Sequence, residues 1–146
     1  MKVTLLLADF AEVINGKLYI MGGGWSITGP QPAPFAIAAK IEVPWTGANE
    51  KHTLRLDLLD GDFKPIQLPT PAGKIPLSVG GDFEVGRPLG MLPGTPLDLP
   101  FAFNMGPIPL APGRRYVWKL AIDGKSQDDW QVGFSTRSSP QLASAK

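Results

Sequence analysis

Cysteine is absent from this 146-residue chain, and histidine occurs once. No disulfide, thiolate nucleophile or cysteine-based zinc site can therefore form, and the absence fits a reducing compartment. A Ser-His-Asp triad would have to use His52, and no Gly-x-Ser-x-Gly elbow accompanies it. An excess of one charge is also missing. Lysine and arginine number 14 against 13 acidic residues, the formal net charge is +1, and there is no basic run. Nucleic-acid binding through a broad electrostatic surface is disfavoured on that ground. No apolar run approaches the ~18 residues of a membrane span. The stretch Val3–Ala8 is too short for a signal peptide, Asp9 interrupts it, and no small-residue cleavage site follows. The expected location is the cytoplasm, with no membrane contact. Long helices have little room either, because 17 glycines and 16 prolines are scattered through the chain.

What is present is alternation with a period of two. Phe35, Ile37, Ala39, Ile41, Val43 and Trp45 share one face of a strand, and Lys40 and Glu42 the other. Leu54, Leu56 and Leu58 alternate with Thr53, Arg55 and Asp57. Leu99, Phe101, Phe103 and Met105 form a third such face, Tyr116, Trp118, Leu120 and Ile122 a fourth, and Trp130, Val132 and Phe134 a fifth. Each pattern describes a strand with one dry and one wet face. Asn15-Gly16, Asp60-Gly61 and Asp123-Gly124 mark turns. Proline-rich residues 64–100 predict edge strands and long loops. Residues 1–137 read as one domain and residues 138–146 as a mobile tail. The fold class expected is all-β, a two-sheet antiparallel β-sandwich. One register follows from the charges. If 34–45 and 51–60 paired with residue numbers summing to 97, Lys40 would face Asp57 and Glu42 would face Arg55; if the chain instead crosses between sheets here, these residues do not pair at all, and the sequence leaves both arrangements open.

Two resemblances refine this. Leu110, then Pro112-Gly113, then Tyr116 opening an alternating strand resembles the approach to the penultimate strand of immunoglobulin-like and fibronectin type III domains. The resemblance covers Leu110 to about Thr136. It implies an immunoglobulin-like sandwich in which the tyrosine hydroxyl bonds back to the backbone a few residues upstream. The N-terminal half, carried by Ala8, Asp9, Gly16, Lys17, Leu18, Ile20, Gly22 and Pro34, resembles an uncharacterised family of small bacterial all-β proteins. That likeness implies a compact sandwich and brings no activity, cofactor or catalytic residue.

The run Gly22-Gly23-Gly24 before Trp25 has three readings. A phosphate loop needs a helix to follow, and the continuation Trp25–Pro34 cannot be one. A propeller blade needs copies at a period of ~50 residues, and there is one copy. The remaining reading is a kinked strand whose glycines relieve crowding around Trp25.

Few residues could carry chemistry. His52 is in phase with Leu54 and Leu56, which suits a rim histidine covered by neighbours better than a base. Asp57, Asp60 and Asp62 form the best carboxylate cluster and a weak calcium candidate, although Asp60-Gly61-Asp62 is ordinary turn composition. Asp128-Asp129 is a second acidic pair beside a turn. Trp118 and Trp130 fall on dry faces, whereas Trp25 and Trp45 stand beside loops and are the candidate binding residues. The leading expectation is a non-catalytic interaction or structural module, a subunit or decoration of a larger assembly with a protein partner or a homo-oligomer. It requires no cofactor and no metal. The rivals are a small-ligand or carbohydrate module using Trp25 and Trp45, and an enzyme using carboxylates and His52.

Overall fold

The alternating segments become strands, and the turn residues separate them. The computed structural model describes residues 1–29 and 33–138, so residues 139–146 of the expected tail lie outside the described residues. In chain order the strands are β1 (Lys2–Ala8), β2 (Phe10–Ile14), β3 (Lys17–Met21), β4 (Ile27–Thr28), β5 (Phe35–Val43), β6 (His52–Asp60), β7 (Gln67–Thr70), β8 (Gly73–Pro76), β9 (Ser78–Phe83), β10 (Leu97–Met105), β11 (Arg115–Ile122) and β12 (Gln131–Thr136). They make a three-stranded sheet in the order β1-β5-β10 and a five-stranded sheet in the order β4-β12-β11-β6-β9. β2-β3 and β7-β8 are separate hairpins. The protein is all-β, with several sheets.

One buried cluster draws on both larger sheets. Ile37, Ile41 and Val43 of β5 join Leu54, Leu56 and Leu58 of β6, Trp118 and Leu120 of β11, and Phe134 of β12. Each fully buried aliphatic side chain here contributes ~1.5–3 kcal/mol by leaving water. Trp118 and Trp130 are buried, as their phase predicts. The expected tyrosine contact is also present. The Ala111 N–H donates to the Tyr116 hydroxyl at 3.0 Å, and that hydroxyl lies 3.3 Å from the Ala111 carbonyl.

One open alternative is settled and two expectations are corrected. Segments 34–45 and 51–60 do not pair. β5 lies between β1 and β10, with Ile41 opposite Val3 and Leu99, while β6 lies between β11 and β9, with Leu56 opposite Leu120 and Val79. Lys40 and Asp57 therefore sit in different sheets, and the register summing to 97 is refuted. The physical reason is burial. β5 has apolar groups to cover on both faces of its first half, so it takes a central position, and the link through the 3-10 turn Trp45–Gly47 carries the chain to the other sheet. Second, pairing is not antiparallel throughout, because β4 runs parallel to β12, with Ser135 opposite Ile27. Third, the supposedly wet face of β5 is wet only at Lys40 and Glu42. Ala36 and Ala38 are buried with Ala8 and Ala11 in a second small cluster, beneath hairpin β2-β3.

The glycine run follows β3 instead of interrupting a strand. Gly22 and Gly24 adopt φ of 62° and 89°, and the Gly24 N–H donates to the Leu7 carbonyl at 2.7 Å. The chain thus folds back along the end of β1 and delivers Trp25 to the core rim, packed edge-on against Phe35 of one sheet and Phe134 of the other.

Candidate functional site

His52 opens β6 and is 7 % exposed, with its ring stacked on Phe83 at 5.1 Å. Nδ1 lies 2.8 Å from the Asp123 carboxylate and Nε2 lies 3.2 Å from the Gly47 carbonyl. Both partners are acceptors, so both nitrogens are best used as donors and the ring is favoured as imidazolium. The Asp123 hydrogen bond raises the His52 pKa above its ordinary value, burial opposes the rise, and the Gly47 carbonyl adds to it. Asp123 is held below the usual carboxylate range, first by His52 and then by the Thr53 N–H, which donates to its other oxygen at 3.0 Å. A base needs a free nitrogen within reach of a proton to abstract. Here neither nitrogen is free, and the assembly pins the Asp123-Gly124 turn to the head of β6.

The acidic residues Asp57 and Asp60 are taken up by local contacts. Asp57 accepts from Arg55 Nε at 2.9 Å. Asp60 Oδ1 accepts the N–H groups of Asp62 and Lys64, at 2.8 and 3.0 Å, and these bonds lower its pKa. Among the described residues, no group of three His, Asp or Glu side chains is placed to hold a metal ion. Asp128 borders a shallow surface hollow with Lys119 and Gln131.

The two candidate tryptophans are not brought together. Trp25 packs on Phe35 at the start of β5, while Trp45 follows the end of that strand. The nine residues of β5 separate those ends by about 26 Å at ~3.3 Å per residue. Trp25 lines a pocket of about 400 Å³ with Ile27, Phe35, Leu110 and Phe134, rimmed by Asp9 and Arg137. Trp45 carries the Arg87 guanidinium 4.3 Å from its ring centroid, and Arg87 also donates to the Trp45 carbonyl at 2.7 Å. Its face is thus already covered in part by the protein's own cation.

The surface that sequence reasoning missed is hairpin β2-β3. Phe10, Val13, Ile14, Tyr19 and Met21 are all exposed, at 43, 40, 43, 52 and 67 %. Cross-strand partners share a face. Phe10 with Met21, Glu12 with Tyr19 and Ile14 with Lys17 make the outer face, whereas Ala11 with Ile20 and Val13 with Leu18 make the inner one. The inner face rests on the three-stranded sheet through Ala11 and Leu18. A second contact fixes it there. The Asn104 side chain of β10 accepts from the Ala11 N–H at 3.3 Å and donates to the Ala11 carbonyl at 2.6 Å. The signal was visible in "FAEVINGKLYIM", where apolar residues occupy both alternation phases and only Glu12 and Lys17 are charged.

Residues 3–133 match a family of unknown function (DUF6941), and the chain belongs to it. Neither the curated proteins nor the solved structures compared with the chain gave a match.

Proposed function

Taking the chain as a member of that family, we propose that it is a non-catalytic protein-interaction module on an immunoglobulin-like two-sheet sandwich. It serves as a subunit or decoration of a larger assembly in a bacterial cytoplasm, and hairpin β2-β3 is its contact surface. One observation carries this reading: large apolar side chains concentrated, exposed, on a single hairpin. Scattered exposed apolar residues are ordinary, but contiguous patches mark interaction sites. The occupied nitrogens of His52 and the spent carboxylates of Asp57 and Asp60 give catalysis no support. The test is photocrosslinking in the source cells, with a benzophenone side chain at Met21 and, as control, at the exposed Leu89 on another part of the surface. The expected result is a discrete protein adduct from Met21 and none from Leu89. Equal, diffuse labelling at both would sink the proposal.

The pocket beside Trp25 favours a second reading, a small-ligand module using that tryptophan without Trp45. Its lining is mostly apolar, with Thr28 and Thr136 among the walls, and its rim carries one acid and one base, a make-up that suits a ligand site. A saturable change in tryptophan emission on adding a ligand, abolished by Ile27→Glu, would support it; no saturable change across a panel of small amphiphiles and sugars would remove it.

A further inference from the structure

From the free edge of β3 we infer that hairpin β2-β3 joins a second copy of this chain by antiparallel strand addition, β3 against β3. The inference rests on the reading of the hairpin as the contact surface and names its partner. The starting point is hydrogen-bond phase. Asn15 and Gly16, at φ of 51° and 72°, form a two-residue turn, which makes Ile14 and Lys17 a hydrogen-bonded pair. Alternation along the ladder then turns the backbone groups of Ala11 and Val13 outward on β2, and those of Leu18 and Ile20 outward on β3. The Asn104 amide satisfies both groups of Ala11, as that phase requires. No other element supplies a partner to the backbone of Leu18 or Ile20 among the described residues. One edge of the hairpin is capped and the other is open.

Open edges are normally blunted by proline, charge or a bulge. Of the other edge strands, β7, β8 and β10 carry Pro69, Pro76 and Pro100, β9 carries Asp82, and β1 carries only Lys2 at its start. β3 carries only Lys17, at its turn end. Its open groups are symmetric about Tyr19, so an antiparallel copy sets Leu18 opposite Ile20 of the second chain and Ile20 opposite Leu18. Both N–H and both C=O groups on each copy then find partners. Tyr19 meets Tyr19 on the two-fold axis, and Lys17 meets Met21, so no like charges face each other. Phe10, Ile14, Tyr19 and Met21 of both copies merge into one apolar face across the joined hairpins. Only one five-residue strand per copy makes the backbone contact, so the association is expected to be concentration-dependent.

Sedimentation of the full chain from about 1 to 300 µM reads the monomer–dimer balance. A dimer that grows with concentration is expected. Ile20→Pro deletes one outward donor and none of the bonds between β2 and β3, and it should weaken dimerisation at least ~10-fold. Because that variant also alters packing, Tyr19→Lys, at an exposed side chain, provides an independent lesion that sets like charges across the axis. A third measurement uses the absence of native cysteine. Tyr19→Cys falls at a non-hydrogen-bonded pair, where Cα atoms are ~4.5 Å apart, and should oxidise to a covalent dimer. Glu12→Cys, about three strand spacings or ~14 Å from its copy, should not. A monomer over the whole range overturns the inference, as does a dimer indifferent to Ile20→Pro and Tyr19→Lys, or equal crosslinking from Glu12→Cys. A monomer whose Met21 crosslinks to a different protein overturns the second copy while leaving the interaction-module reading standing.

Discussion

Tyr116 and His52 are single side chains whose hydrogen bonds have measurable consequences. Tyr116→Phe keeps the ring stacked on Phe134 and removes the hydroxyl contacts to Ala111. A loss of about 1 kcal/mol is expected, read as a lower urea midpoint at unchanged slope. An unchanged midpoint would mean that the contact is energetically idle. His52 gives a pH dependence with a definite sign. Its folded pKa is raised above the ordinary 6.5, so its contribution to stability is complete below about pH 6.5 and is lost as pH rises through the folded value. Asp123, lowered from 3.8, contributes above that value and loses its contribution as pH falls through its folded pKa. Denaturation midpoints should therefore decline on the alkaline side of the His52 titration. As the only histidine, it can be followed directly by proton NMR, and Asp123→Asn should bring its pKa down and flatten the decline. A folded-state pKa at or below 6.5 would contradict the geometry. Sequence phase placed His52 beside the core, but not its partner. Asp123 lies 71 residues away, and no periodicity encodes a contact made by a loop against the head of a distant strand.

Hairpin β2-β3 and the glycine run after it behave as elements held at few points. Asn104→Ala leaves both backbone groups of Ala11 without their amide partner. The expected cost is ~1–3 kcal/mol. Faster exchange should be confined to the Ala11 amide and its hairpin, with β5 and β11 protected as before. Uniform loss of protection would show that the hairpin unfolds only with the whole domain. The glycines should rank by geometry. Gly22→Ala meets two obstacles, a φ of 62° and the Asp9 side chain in the way of a Cβ. Gly24→Ala meets only its φ of 89°, in open space, and Gly23→Ala has no φ penalty but sets its Cβ 2.5 Å from the Ile20 Cγ2, so that the β-branched side chain must shift. Position 22, with both obstacles, should therefore lose most, at least ~1 kcal/mol, and positions 23 and 24, with one obstacle each, less. Equal costs at the three positions would refute this account of the crossing. The run was legible as a bend in the chain. That it follows β3 and carries the chain toward the other sheet was not, because a run of glycine specifies freedom and not direction.

Alternation describes what each strand buries without naming the strand beside it, and this is why the core was legible while the pairing was not. Ile37, Ile41, Leu56, Trp118 and Phe134 were assigned inward from phase alone and are buried together. The same phase allowed β5 and β6 to be laid side by side with favourable charges, yet the chain crosses between sheets at the turn Trp45–Gly47. The charges found other partners. Lys40 lies 3.4 Å from Asp98 on the neighbouring β10, and Asp57 lies 2.9 Å from Arg55 on its own strand. Double-mutant cycles separate the two topologies. Lys40→Ala combined with Asp57→Ala should be additive within ~0.3–0.5 kcal/mol, because the residues belong to different sheets and share no partner. Lys40→Ala combined with Asp98→Ala should show a favourable coupling of at most ~0.2–1 kcal/mol, shrinking as salt is added, since both side chains are about half exposed. Coupling between Lys40 and Asp57 that exceeds the coupling between Lys40 and Asp98 would restore the hairpin pairing. It would also force a new sheet order, since a β5 paired with β6 cannot keep both β1 and β10 as its neighbours.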